Sequence, residues 1–244
     1  MKHKTFSVLE AAKLGYKLTF RNVGLIVLAA LTLFAISIGF GLLSRFLGGL
    51  IGITRPMLST ITPPADPMAG LRSLWQMAVP FIVFSAVVGF VRFLISAALY
   101  MGVDQVSFDL HDTGKSKVMR LFSCFGLLGK YLVSMIIFGA ITAGMVLLVV
   151  PFGFILPKVL LPIIMLPVGF YVFLYIPIRL GLATKFIVDK KVGGLQAIKM
   201  SWATTQGHFW RLFAAYLLAP FMVLTVVGIP AVPIMLVAIY RKIS

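Results

Sequence analysis

Long apolar runs alternate with polar, basic segments along the whole chain. A helix needs about 20 consecutive apolar residues to cross the hydrocarbon core of a bilayer. Each of the first four runs meets that length and is therefore predicted to be a membrane-spanning helix. These runs cover residues 22–44, 73–101, 131–157 and 159–184, with one arginine inside the second and one inside the fourth.

The fifth apolar run, residues 212–240, allows two interpretations. As one helix it would be about 44 Å long at about 1.5 Å per residue, which exceeds the core thickness of about 30 Å. Gly228, Pro230 and Pro233 stand where a turn would divide the run, and glycine and proline favour turns over helix interiors. We therefore favour a short hairpin here. The predicted fold is an all-α, polytopic transmembrane helical bundle of about six spans.

The polar segment before the first run has the pattern of an amphipathic helix. Ser7 and Glu10 match a capping box, in which the serine closes the helix N-terminus. Such helices lie in the membrane interface with their basic residues near anionic headgroups. The apolar row is Leu9, Ala12, Tyr16 and Phe20, and the basic row is Lys13, Lys17 and Arg21.

Two later segments resemble the first and suggest an internal repeat. Residues 118–128 place apolar side chains at helical spacing, and residues 197–202 match residues 11–16 without a gap. The unit would be an interfacial helix followed by a membrane hairpin, used three times within one integral membrane domain of residues 1–244. Chance similarity between juxtamembrane helices is the alternative, because short matches are weak evidence. The three units would be 1–101, 102–183 and 184–244.

Composition supports a bilayer environment for the whole chain. Hydrophobic residues make up 61%, charged residues 11%, and the mean hydropathy is +1.08. A soluble domain is about half apolar and about a quarter charged. A water-facing fold of this size could not bury so much apolar surface, so a soluble protein is excluded.

Basic residues are distributed unevenly between alternate polar segments. The net charge is +16, and segments 1–21, 102–130 and 184–211 carry fourteen Lys and Arg, against three in the intervening loops. The positive-inside rule therefore places the N-terminus and both later segments in the cytoplasm, and a final hairpin returns the C-terminus to the same side. The proline-rich stretch 54–70 is then the outer loop. Nucleic-acid binding is disfavoured because no polar domain would carry it.

Two arginines inside apolar runs are candidate ligand-binding residues. Charges at membrane depth are costly and often functional. Arg92 lies about 15 Å deep by helix rise and is expected to face the bundle interior, where it binds a lipid phosphate or an anionic substrate, or acts as a structural tie. Arg179 lies near the cytoplasmic end and could instead snorkel to the interface. No acidic residue lies inside a run, which disfavours a proton- or sodium-driven transporter.

The chain shows no catalytic constellation and no cofactor motif. Asp104, Asp109 and Asp112 lie near His111 and could in principle bind a divalent cation. Loop capping and charge balance are the favoured roles. Neither a nucleophile elbow nor a phosphate-binding loop is present. We therefore expect a non-enzymatic protein without a cofactor, and an enzyme of lipid metabolism is the least favoured alternative.

Residues 186–213 carry a recognisable pattern: Asp189, then Ser201, Gly207 and the sequence Trp210-Arg211-Leu212-Phe213. This pattern resembles the bacterial glycerophosphoryl diester phosphodiesterase membrane-domain-like family and the related YciC-type inner-membrane proteins. The resemblance implies a bundle of roughly six spans in the bacterial inner membrane and a mostly uncharacterised function. The phosphodiesterase barrel of one branch is not part of this chain, so the resemblance implies no catalytic residue.

The functional expectation is a protein that organises membrane components at the cytoplasmic face. Its partners would be anionic phospholipids or another membrane protein, and not nucleic acid. The alternative is a transporter of lipids or small molecules, which needs a polar cavity near Arg92 that reaches the midplane. The basic face that would meet lipid headgroups consists of Lys13, Lys17, Arg21, Lys199 and Arg211.

Overall fold

The computed structural model describes residues 6–50, 67–155, 161–225 and 227–244. Regular structure in these ranges is helical throughout. The α-helices are α1 (Val8–Arg21), α2 (Val23–Leu50), α3 (Pro67–Thr113), α4 (Leu128–Ile155), α5 (Leu161–Phe170), α6 (Ile176–Leu180), α7 (Ala183–Lys190), α8 (Gly194–Thr205), α9 (Phe209–Val223) and α10 (Gly228–Ile243).

Within the described residues, four helical stretches are long and apolar enough to cross a membrane. The all-helical structure with these apolar helices agrees with the prediction of a helical membrane protein. The expected total of about six spans remains a prediction, because α9 and α10 have only 15 and 16 residues. The predicted outer loop lies mostly outside the described residues. The four stretches are Val23–Gly49, Ile82–Thr113, Val118–Leu147 and Leu166–Lys190.

The chain divides into two compact units. One comprises Leu28–Ala97, and the other comprises the chain up to Val27 together with Ala98–Ser244. In the first unit large apolar side chains such as Phe34, Val87 and Phe90 are exposed, as expected of surfaces that hydrocarbon covers. All contacts described below lie within the second unit. The predicted threefold repeat stays a prediction.

The helix of the second run is longer than its apolar pattern predicted. The sequence placed a cytoplasmic segment from residue 102, but α3 continues to Thr113. It ends at Gly114, whose φ of +72° suits glycine. The polar extension is stabilised along its own face, where Gln105 Nε2 donates to Asp109 Oδ1 at 3.2 Å and Thr113 Oγ1 donates to the Asp109 carbonyl at 2.8 Å.

The predicted amphipathic helix of residues 118–128 is wrong. Two short 3₁₀ turns, Val118–Phe122 and Phe125–Leu127, precede α4 instead. The cause is a close approach to α3, because a Cβ on Gly102 would lie 2.0 Å from the Leu121 carbonyl oxygen. Tertiary packing of Leu121 therefore overrides the helical spacing.

Helix α1 packs on α10 through small residues. A Cβ on Gly15 would lie 2.6 Å from the Ala231 carbonyl oxygen, so the two backbones touch. The predicted N-cap is confirmed, since the Glu10 amide donates to Ser7 Oγ at 3.4 Å. The face of α1 that is buried consists of Ala11, Ala12, Gly15, Leu18 and Thr19, whereas Leu9 and Phe20 are exposed.

The fifth apolar run forms two helices, as favoured. Helix α9 ends at Val223 and α10 begins at Gly228. Phe6 stacks on His208 at the start of α9, and Lys242 at the end of α10 lies 3.6 Å from Glu10. The start of α9 and the end of α10 therefore meet the same end of α1, so these two helices run in opposite directions.

Candidate functional site

Every acidic side chain that the structure describes already has a basic partner. Asp66 lies outside the described residues. Asp104, Asp109 and Asp112 each have a different cation as partner, so they do not converge as the divalent-ion alternative required. The ion pairs are Glu10 with Lys242, Asp104 with Lys185, Asp109 with Arg120, and both Asp112 and Asp189 with Arg241.

Arg241 joins the C-terminal ends of α3, α7 and α10. Its guanidinium contacts Asp112, and its Nη1 lies 2.9 Å from Asp189 Oδ1. The Tyr240 hydroxyl donates to Asp189 Oδ2 at 2.8 Å. Asp189, part of the family pattern, therefore has a structural role here.

Lys185 and Asp104 form a buried ion pair that the sequence did not reveal. Lys185 Nζ lies 2.8 Å from Asp104 Oδ1, with side chains only 1% and 2% exposed. Asp104 Oδ2 is buried and has no hydrogen-bond partner among the described residues. In the sequence, Lys185 resembles the other lysines of the predicted cytoplasmic segment, because residue identity alone does not show which side chains are buried. The pair joins α3 to α7.

Arg179 is the candidate cation that the structure holds inside the protein. It is 9% exposed, so it does not snorkel. Its guanidinium lies 4.7 Å from the Trp202 ring centroid and 5.1 Å from that of Tyr175. Nη1 donates to the Trp202 carbonyl at 3.0 Å and Nη2 donates to the Tyr175 hydroxyl at 2.7 Å. The buried Nε has no partner in the part of the chain that the structure describes.

The family-pattern residues of α8 support this arginine and the turn that follows. Ser201 Oγ donates to the Arg179 carbonyl at 2.7 Å, which holds α6 against α8. Gly207, with φ of +83°, permits the left-handed turn into α9. Trp210 is largely exposed and packs edge-on against Phe213. Ser201 and Gly207 thus have structural roles, and Trp210 is the exposed member of the pattern.

A cavity of about 450 Å³ lies beside this arginine, between α4, the α5–α6 segment and α8. We call it the Lys199 cavity. No carboxylate from the described ranges lines it. A π-helical turn at Tyr171–Tyr175, between Pro167 and Pro177, shapes one wall. The lining residues are Ile141, Met145, Tyr171, Ile176, Leu180, Ile198, Lys199, Trp202, Ala203 and Gln206.

The other predicted basic residues lie elsewhere. Arg92 is exposed on α3 within the unit Leu28–Ala97, and its expected place in the bundle interior stays a prediction. Arg211 is half-buried with its guanidinium 5.8 Å from the Phe6 ring centroid. The three basic residues of α1, Lys13, Lys17 and Arg21, are all exposed at four-residue spacing.

No family model, no curated protein and no solved structure matches the chain. The resemblance to the phosphodiesterase membrane-domain-like family therefore remains a prediction from the pattern residues.

Proposed function

We propose that this protein is a non-enzymatic integral membrane protein that binds an anionic phospholipid in the Lys199 cavity and so organises lipid at the cytoplasmic face. The observation that carries the proposal is a charge imbalance. Arg179 and Lys199 flank the cavity, while every described carboxylate is paired with another cation.

The buried arginine makes an anion favourable at this place. A buried charge without a counterion costs several kcal/mol, as an order of magnitude. Stacking on Tyr175 and Trp202 and two hydrogen bonds offset part of that cost. Arg179 stands behind Trp202 and does not line the cavity, so it would act on the ligand through its electric field.

Direct contact with the headgroup would come from the cavity wall. Lys199 supplies a compact cation and Gln206 an amide donor, which suits a phosphodiester oxygen. The remaining wall is almost wholly apolar, with Ile141, Met145 and Ile176, and suits an acyl chain. The volume is in the range of about 300–1,000 Å³ typical of ligand sites.

The exposed basic row of α1 adds a second, less specific attraction. Lys13, Lys17 and Arg21 share one exposed face. A basic residue near an anionic leaflet contributes about 1 kcal/mol. This row would enrich anionic lipid around the protein, and the Lys199 cavity would select one molecule from it.

The test compares lipid binding by the full chain in nanodiscs. Native mass spectrometry should retain phosphatidylglycerol in preference to phosphatidylcholine. Lys199→Ala should weaken that retention about tenfold, as expected for loss of a charged hydrogen bond of about 1.5 kcal/mol.

Lys117→Ala is the matched control, because Lys117 is an exposed lysine outside the cavity and its loss should leave retention unchanged. Equal retention of both lipids, or equal loss in both variants, would contradict a site at Lys199.

A further inference from the structure

A second cavity of about 310 Å³ opens between α3, α4, the α6–α7 segment and α9. It shares only Leu180 and Ile198 with the Lys199 cavity. Its polar wall consists entirely of hydroxyl groups, and we call it the hydroxyl cavity. These groups belong to Tyr100, Tyr131, Ser134, Thr184 and Tyr216.

The hydroxyl groups have no protein partner within the part of the chain that the structure describes. Tyr131 and Ser134 are each only 7% exposed, yet neither hydroxyl forms a hydrogen bond to a described residue. None of the five hydroxyl oxygens is among the described fully buried atoms that lack a partner, so these groups open to the cavity and are available to hydrogen-bond a ligand there. Tyr100, Thr184 and Tyr216 are more exposed than Tyr131 and Ser134.

The cavity favours a ligand without net charge. Among the residues that the structure describes, no Lys, Arg, Asp or Glu lines it. The nearby Asp104–Lys185 pair is neutral as a whole and sealed from the surface. A charged headgroup would enter without a counterion, which is unfavourable in an apolar setting. Hydroxyl groups donate readily to carbonyl oxygens, and the rest of the wall, such as Met135 and Phe138, is apolar.

We propose that the hydroxyl cavity binds an uncharged lipid whose head carries carbonyl oxygens, as in the ester groups of a diacylglycerol or the ring of a quinone. Tyr131 and Ser134 on α4 and Tyr216 on α9 donate to these oxygens. Tyr100 is 52% exposed and stands at the open side, where the apolar tail leaves for the bilayer. This site is independent of the Lys199 cavity and of its anionic ligand.

The experiment titrates the full chain, in phosphatidylcholine nanodiscs, with dioleoylglycerol and separately with a short-chain ubiquinone. Native mass spectrometry should show one bound molecule of at least one of these two lipids. The lipid that binds more tightly shows whether the cavity prefers ester carbonyls or quinone carbonyls. Tyr131→Phe and Ser134→Ala should each weaken binding about 3- to 10-fold, and the double variant more. Ser96→Ala, an exposed serine on α3, is the matched control and should bind as the wild type does.

Folding of each variant is checked by circular dichroism, and Tyr216→Phe replaces any variant that fails. The proposal is overturned if neither lipid binds, or if the hydroxyl variants bind as the control does. Displacement of the bound lipid by phosphatidylglycerol would also overturn it, because the cavity would then accept a charged headgroup. Lys199→Ala should leave binding of the uncharged lipid unchanged, so the proposals for the two cavities are tested independently.

Discussion

At the scale of single residues, burial distinguishes cations that are alike in sequence. Lys185 and Lys199 both belong to the basic segment 184–211, yet Lys185 is sealed against Asp104 and Lys199 is exposed at a cavity. Arg92 and Arg179 both interrupt a run, yet only Arg179 is buried. Sequence reasoning selected Arg179 as a candidate but could not find the Lys185 pair, because Lys185 and Asp104 are far apart along the chain.

The Asp104–Lys185 pair leads to a stability prediction. Asp104→Asn leaves a buried lysine without its counterion, and breaking such a pair costs about 3–5 kcal/mol. We expect the free energy of unfolding to fall by that amount in denaturant titrations of the purified protein in detergent.

Asp109→Asn provides the comparison for that experiment. Its partner Arg120 is 56% exposed, so the loss should be at most about 1 kcal/mol. Equal losses in the two variants would mean that water reaches Lys185.

At the scale of elements, the apolar runs predicted where helices lie better than where they end. The apolar run that predicted α3 ends near Met101, because the residues beyond it are polar. The helix itself continues to Thr113. The amphipathic helix predicted for residues 118–128 is absent for another reason. Their spacing suits a helix, but Leu121 packs against Gly102, and no local pattern encodes that contact.

Gly102 is predicted to be intolerant of any side chain. In Gly102→Ala the new Cβ would meet the backbone of Leu121, which cannot rotate away as a flexible side chain can. Overpacking of this kind costs about 1–3 kcal/mol, so the melting temperature should fall by several degrees. Differential scanning fluorimetry of the detergent-solubilised protein measures it.

Gly126→Ala is the matched substitution, because a Cβ on Gly126 meets nothing within 4 Å. Its melting temperature should stay near that of the wild type. A drop of the same size at Gly126 would show that the loss reflects glycine content and not the contact of α3 with Leu121.

At the scale of the whole molecule, composition was sufficient to predict a helical membrane protein, and charge patterning gave its proposed orientation. Contacts within the second unit bring several helix ends together. Arg241 joins the ends of α3, α7 and α10, and Lys242 reaches α1. These are the helix ends that the positive-inside rule assigns to one side. The two cavities could not be predicted, because they arise from packing between distant segments.

The orientation can be tested with thiol labelling, for which this chain is well suited. Its one cysteine, Cys124, is 1% exposed, so added cysteines supply the reactive thiols. With a membrane-impermeant maleimide, Ser59→Cys in the predicted outer loop should label in intact cells. Lys13→Cys, Lys117→Cys and Lys242→Cys should label only after permeabilisation. Labelling of Lys242→Cys from outside would place the C-terminus opposite the N-terminus. That result would contradict the hairpin of α9 and α10 as a membrane-inserted pair, because an inserted pair returns the chain to the side from which it entered.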